Sequence, residues 1–411
     1  MMAGMTMESS NGRWFLLGLG ALVASGCGGG SDGGANATGA ESGSGGRVAP
    51  GGGAGSGSSG GSSAAGGAGN PDGSCRAGVP ARGRAVDTSA PTTVVGTGAP
   101  AGCTFSQLQA AVAKGGIVTF DCGAAPTTIS VTATLNLPTD RNTVIDGGGK
   151  ITLDGGRAVQ IMSFNSANFR ANDNGLTLQH ITLTNAKTTP TQAIPRAPAP
   201  CSQGWDDGEG GAIFVRDGAL TIIDAVFTNN DAAPLGPDTG GGAIYILGSK
   251  AGAMIVGSTF KGNTASNAGA VGALFSELDI YDSLFSGNLA LGHDANGDDA
   301  SMCSVINNGQ NETGSGGNGG AIYSDGNSVN ITLCGDAILD NAAGPNAFGG
   351  GLFFTSNDMK GTLSITDSTI TGNTGGHWTN VSSGSVVDAG TAVGVNAQSI
   401  TVTASTIQGY R

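Results

Sequence analysis

Charge is scarce in this chain. Asp, Glu, Lys and Arg supply 11% of its 411 residues, against an average near 25%. Only 17 residues are basic and the net charge is −13, which argues against nucleic acid or anionic lipid surfaces as partners, since both are polyanions. Aromatic residues are few, at 5%, and there are three histidines. No Cys-x-x-Cys pair occurs, so the common zinc frameworks are not expected. Glycine, at 77 residues, is the residue in excess.

The N-terminus carries an apolar run, Trp14 to Val23, too short to span a bilayer comfortably and suited to a signal-peptide core. It leads into Ala24-Ser25-Gly26-Cys27, which resembles a bacterial lipobox. The resemblance implies removal of residues 1–26 and lipidation of Cys27. It departs from the family pattern at Ala24, where Leu is favoured, and Glu8 offsets Arg13 in the n-region. Ordinary cleavage after Gly26, with plain secretion, is the rival reading. Gly28 rather than Asp follows the cysteine, which in lipoproteins implies sorting to the outer membrane or cell surface. Residues 27–73 are dominated by Gly, Ser and Ala. Such a stretch cannot bury enough apolar surface to offset its ordering entropy and reads as a tether, reaching on the order of 35–40 Å. Residues 74–100 read as an extended lead-in.

With Cys27 lipidated, six cysteines remain: Cys75, Cys103, Cys122, Cys201, Cys303 and Cys334. An even number in an oxidising compartment favours disulfides. Proximity favours Cys103–Cys122 and Cys303–Cys334, among fifteen possible pairings.

Internal repetition decides the architecture. Gly210-Gly211-Ala212-Ile213-Phe214 recurs as Gly241-Gly242-Ala243-Ile244-Tyr245, in a degraded form as Val271-Gly272-Ala273-Leu274-Phe275, and then as Gly319-Gly320-Ala321-Ile322-Tyr323 and Gly349-Gly350-Gly351-Leu352-Phe353. Each is followed by a second element, such as Asp224-Ala225-Val226-Phe227-x-x-Asn230, Gly257-Ser258-Thr259-Phe260-x-x-Asn263 or Asp282-Ser283-Leu284-Phe285-x-x-Asn288. Successive copies lie about thirty residues apart: Ala212 to Ala243 is 31 and Ala321 to Gly351 is 30. Each unit holds two β-type runs, such as Ala212–Val215 and Leu220–Phe227, with no helical period. One unit cannot bury its own apolar face. Stacked units can, with parallel strands about 4.8 Å apart and with Phe227, Phe260 and Phe285 in an internal ladder. The turn Asn tolerates left-handed backbone angles, and stacked amides can hydrogen-bond from coil to coil.

This combination of Gly-Gly-Ala-Ile with Phe-x-x-Asn resembles the repeat of the chlamydial polymorphic outer-membrane proteins and, more widely, pectin-lyase-like β-helix proteins. The resemblance covers residues 101–411 and implies an all-β fold: a single right-handed parallel β-helix, a solenoid, with a short N-terminal capping helix. Thr104-Phe105-Ser106-Gln107 looks like a capping box opening that helix, Phe105–Lys114. Ile117–Phe120, Ile129–Leu135, Val144–Asp146 and Ile151–Leu153 read as early coils. Self-transport through a C-terminal barrel, as in the chlamydial proteins, is not expected.

Asp224, Asp282 and Asp367 share one column, with His180 placed in it for an earlier coil; a residue repeated once per coil points to turn stabilisation rather than catalysis. Four insertions, Ala186–Glu209, Asp231–Thr239, Leu291–Asn318 and Thr374–Gly390, interrupt the repeat at one point, after the Asn turn. They are expected along one edge, where repeat proteins often bind partners. Trp205, Trp378, His293 and His377 fall in them and define the candidate binding face. Trp205-Asp206-Asp207-Gly208-Glu209 puts Asp206, Asp207 and Glu209 beside an aromatic, the groups a glycoside-cleaving site needs. Asp294, Asn296 and Asp298 resemble half of a calcium loop, although position twelve, Val305, lacks the bidentate Glu. The Arg or Lys bases of the family's lyases are not found, nor are the Asn-Thr-Asp and Gly-His-Gly motifs of its polygalacturonases.

These features predict a non-enzymatic surface lipoprotein that presents loops for adhesion or envelope interaction, with a glycan or surface protein as partner. A polysaccharide-degrading enzyme is the alternative. No cofactor is expected beyond calcium, and the membrane is reached through lipid alone. The last strand, Ile400–Ile407, leaves an uncovered coil through which the chain could self-associate.

Overall fold

The computed structural model describes residues 68–191, 207–236, 239–293, 316–345, 347–375, 386–389 and 393–408. The chain divides into two units, Met1–Gly66 and Gly67–Arg411, and the described residues belong to the second.

That unit is all-β and built of long parallel sheets. Each full repeat contributes three strands rather than the two runs expected from the sequence. In one repeat they are Ile213–Arg216, Ala219–Ile223 and Val226–Thr228. The run Leu220–Phe227 is broken because Asp224 has a φ of 46°, a left-handed angle that ends the strand and turns the corner. The three strands pair in parallel with their counterparts in the next repeat: Ile213 with Ile244, Leu220 with Ala253 and Phe227 with Phe260. Eight first strands and an antiparallel edge strand, Val386–Ala389, form a nine-stranded sheet, while second and third strands share a seventeen-stranded one. Ile129–Leu135 likewise separates into Thr127–Ser130 and Leu135–Asn136, whereas Val144–Asp146 and Ile151–Leu153 lie in one bulged strand, Thr143–Asp154.

The third glycine motif is placed three residues earlier than the sequence suggests. Val271, not Leu274, pairs with Ile244, so the motif reads Ala268-Gly269-Ala270-Val271. Ala268 takes the left-handed angle (φ 50°) that Gly241 takes in the preceding copy (φ 70°), and an alanine there concealed the match. The two glycines of the motif do different work. The first needs its positive φ. The second is a contact point: a Cβ on Gly320 would lie 2.1 Å from the Gly350 carbonyl oxygen of the next repeat.

Inside the coil, Phe227, Phe260 and Phe285 stack with centroids 4.8 and 4.6 Å apart and nearly parallel rings. All three are fully buried. A ladder of Asn230, Asn263, Asn288, Asn341 and Asn373 runs beside them, each Nδ2 donating to the next Oδ1 at 2.9 Å. The ladder Asn is not the left-handed residue of the turn; the residue before it is, as at Asn229, Gly262 and Gly287. By the same register Ala186 occupies the ladder column in the preceding repeat, and its N–H donates to Asn230 Oδ1 at 2.9 Å. A third ladder joins Ser258, Ser283, Asp336, Ser368 and Ser405 through backbone N–H donors of the preceding repeat.

The helix spans Phe105–Val112, two residues shorter than expected, and Thr104 caps it by accepting from the Gln107 N–H. Its Leu108, Ala111 and Val112 join the apolar core of the coil. Cys103–Cys122 is a disulfide, as expected from proximity. Cys334 bonds to Cys75 instead of Cys303, 259 positions away in sequence. The reason is a strap: residues 69–88 cross the outside of the coil and bring Cys75 to the end of the strand Asn330–Cys334.

The strap begins inside the stretch read as tether. Asn70 donates through its N–H to the Asp282 carbonyl (2.9 Å) and through Nδ2 to the Gly335 carbonyl (2.9 Å). Cys75 N–H donates to Asp282 Oδ1, and Arg76 holds Asp367 through its backbone and guanidinium. The chain then returns past Met254, Val256 and Tyr281, against which Val79 packs. Arg82 donates to the Leu220 and Gly252 carbonyls. Val86 exchanges two hydrogen bonds with the Gln179 amide, and Thr88 reaches Asp146. The strap ends in the strand Thr93–Gly96, the first to pair in the second-strand column. The corner column beneath it reads His180, Asp224, Gly257, Asp282, Gly335, Asp367, Ala404, all at positive φ. Its aspartates Asp282 and Asp367 hold the strap. Gly335 makes room for it, since a Cβ there would lie 2.6 Å from the Cys75 nitrogen.

Candidate functional site

The corner between the third strand of one repeat and the first strand of the next follows a fixed order: a left-handed residue, a ladder residue, then a residue bridged to both neighbours. The bridging residues are Lys187, Asp231, Thr264, Leu289, Ala342 and Thr374, paired in parallel from repeat to repeat. The segments read as insertions begin within two residues of this column. Parallel pairing puts neighbouring members about 4.8 Å apart. The roots of the first and third insertions, three steps apart, are therefore separated by roughly 14 Å and those of the first and fourth by roughly 24 Å.

The first and third insertions are closed near their roots. Thr191 donates through its N–H and Oγ1 to Asp207 Oδ2, at 2.8 and 3.1 Å, closing the first. Gly292 and Gly317 close the third: both donate to the Ser266 carbonyl, and a Cβ on Gly292 would touch the Gly317 nitrogen. The second does not project as expected. Its Ala232, Ala233 and Thr239 are buried, and Ser266 Oγ donates to the Gly236 carbonyl at 2.7 Å. At the third root, Leu289 and Leu291 are exposed apolar side chains at 39% and 44%. Arg157 and Thr264 both hold Asp231, at 2.9 and 2.8 Å.

Of the carboxylates beside Trp205, Asp207 braces Thr191 across the insertion and Glu209 is buried at 4% exposure, with its carbonyl accepting from Gln160. His293 is half-buried at the start of the third insertion. Cys27, Cys201, Trp205, Asp206, Asp294, Asn296, Asp298, Cys303, His377 and Trp378 lie outside the described residues. Among the described residues, no group of three or more His, Cys, Asp or Glu is placed to hold a metal ion.

A charged cluster forms at the corner between second and third strands, where Asp146 joins His180 and Asp224, two residues of the column read from the sequence. His180 Nδ1 is 3.0 Å from Asp146 Oδ1, and its Nε2 is 3.7 Å from Asp224 Oδ2. Burial alone would raise the Asp146 carboxyl, but donors from His180, Gly148, Gln179 and Thr88 hold it well below the usual carboxylate range. The bond to Asp146 in turn raises His180, against the opposing effect of burial. Asp146 also lines a groove of about 260 Å³ with Thr88, Thr119 and Lys150. With four partners already on its carboxyl, Asp146 is a pin between the strap and the coil rather than a base free to take a proton. Its one sequence signal is the Asp146-Gly147-Gly148-Gly149 run, which loops out of register as a bulge.

No family model, no curated protein and no solved structure matches the chain.

Proposed function

We propose that this protein is a non-enzymatic surface lipoprotein: a right-handed parallel β-helix carried on a lipid at Cys27 and a glycine-rich tether, engaging a glycan or surface protein through the inserted loops. The observation that supports this reading is the single column of insertion roots, Lys187 to Thr374. Loops that leave and return at one corner concentrate side chains from distant parts of the sequence along one edge. A repeated scaffold with an inserted edge suits recognition of an extended partner. The exposed Leu289 and Leu291 add apolar contact area at that edge.

The second reading is a polysaccharide-degrading enzyme, lyase or glycoside hydrolase, favoured by Asp206, Asp207 and Glu209 beside Trp205. Two carboxylates flanking a sugar would act as acid and as base or nucleophile. The bracing of Asp207 by Thr191 and the burial of Glu209 weigh against their meeting a sugar. Incubating the full chain with polyuronates and neutral glycans, with and without calcium, separates the two: the proposal expects no unsaturated or shortened products, and either product overturns it.

A further inference from the structure

In a repeat of three strands, the corner between third and first strands is the one that does not border the second strand. The insertions leave from that corner. The strap lies on the second strands and on their corner with the third, as its bonds to Gln179, Asp282, Gly335 and Asp367 fix. The point where the N-terminal segment joins the coil is therefore the corner between second and third strands, where the Gly69 N–H also donates to Thr259 Oγ1 of a third strand, and not the loop-bearing corner. It is also far from the first strand in stacking order: Cys75 and Arg76 sit on the coils of Cys334 and Asp367, whereas Thr93–Gly96 begins the stack.

This placement has a mechanical consequence. In a parallel stack, tension applied to the end strand breaks its ladder one hydrogen bond at a time and peels one repeat after another. Tension arriving along the N-terminal segment meets Asn70, Cys75 and Arg76 before it can reach Thr93. Cys75 passes it through a covalent bond to Cys334, and the 259-residue separation between them drops out of the line of force. The bonds made by Arg82, Val86 and Thr88 lie within that shielded stretch. Three features of the corner column build the fastening: Asp282 and Asp367 bind the strap, and Gly335 admits Cys75 where a side chain would collide with it.

We propose that the 69–88 strap, closed by Cys75–Cys334, is a fastening that carries tension from the N-terminal attachment into the side of the stack and keeps the coils between Thr93 and Leu333 unloaded. It rests on reading the N-terminal segment as the attachment.

Force spectroscopy on the full chain held by its two termini tests this. With the disulfide intact, extension is expected to stop short of the enclosed residues. After reduction, or in the Cys75→Ser chain, unfolding is expected to release about 90 nm more, from 259 residues at about 3.5 Å each. That release is expected at lower force than rupture of the oxidised chain, in steps of roughly 10 nm for a thirty-residue repeat. Far-ultraviolet circular dichroism of the Cys75→Ser chain reports whether it still folds, and reduction of the native chain supplies the same comparison if it does not. Release of the full length from the oxidised chain would overturn the proposal. So would reduced and oxidised chains that resist with equal force. Mass determination of the processed N-terminus reads lipidation of Cys27 separately, so failure of the attachment reading and failure of the fastening are distinguishable.

Discussion

Asn288 Oδ1 accepts two hydrogen bonds from Asn263, one from its backbone N–H at 3.0 Å and one from its side-chain Nδ2 at 2.9 Å. Asn288 Nδ2 donates in turn to Asn341 Oδ1 and to the Phe260 carbonyl. Every ladder residue thus accepts from a backbone N–H through Oδ1 and donates through Nδ2, and all five are buried.

Replacing Asn288 by Ala strands two donors of Asn263 and the Phe260 carbonyl. Buried unpaired groups cost about 1–3 kcal/mol each, so Asn288→Ala is expected to lose on the order of 3 kcal/mol or more in chemical denaturation. Asn229→Ala, at the exposed left-handed position, is expected to cost about 1–2 kcal/mol. Equal losses would mean that the ladder contributes nothing beyond the turn.

Two glycines distinguish conformation from contact. Gly287 has a φ of 62° and nothing within 4 Å of a Cβ, whereas a Cβ on Gly320 meets the Gly350 carbonyl oxygen. Gly287→Ala is expected to fold with a loss of about 1–2 kcal/mol. Gly320→Ala is expected to separate the repeats and yield little soluble protein, a difference read directly from expression and melting.

The His180–Asp146 pair gives a pH signature with a definite sign. His180 is raised in the folded chain, so its contribution is complete below the ordinary histidine value, about 6.5, and is lost as pH rises through the raised value. Asp146 is depressed, so its contribution is present above about 4 and is lost as pH falls through the depressed value. Stability should therefore decline as pH rises above about 6.5. His180→Asn, which tolerates the φ of 51°, should flatten that slope. An unchanged slope in this variant would assign the decline elsewhere.

Asp336 gives the opposite test. It occupies the serine column, is fully buried and is pushed well above the usual carboxylate range by burial, against the pull of N–H donors from Ser283 and Cys334. An acid raised on folding favours its protonated form, so it penalises the folded chain progressively as pH rises above about 4. Asp336→Ser, which restores the residue found at Ser258, Ser283 and Ser368, is expected to raise the melting temperature at pH 7 and to lose that advantage near pH 4. A variant that melts lower at pH 7 would contradict this.

The parallel stacking was legible because Phe227, Phe260 and Phe285 repeat at one place in the unit, and one apolar residue per coil in register is a strong signal. The third strand was hidden by Asp224: a left-handed residue inside an alternating run leaves the apolar pattern intact while turning the chain. The third glycine motif was misplaced because Ala268 stands where glycine was the marker. Cys75–Cys334 was beyond reach, since the strap that brings them together carries no repeat of its own. Its bonds use backbone groups and the corner residues Asp282, Gly335 and Asp367, which also read as ordinary turn residues.

The loop-bearing corner is the proposed binding edge. The decisive measurement is retention of the full chain on a printed array of polysaccharides and on immobilised envelope extract, with and without Trp205→Ala and Trp378→Ala. Retention by the native chain that is lost in both variants, with unchanged melting, is the predicted result. Retention unaffected by either substitution, or no retention by the native chain, would contradict it.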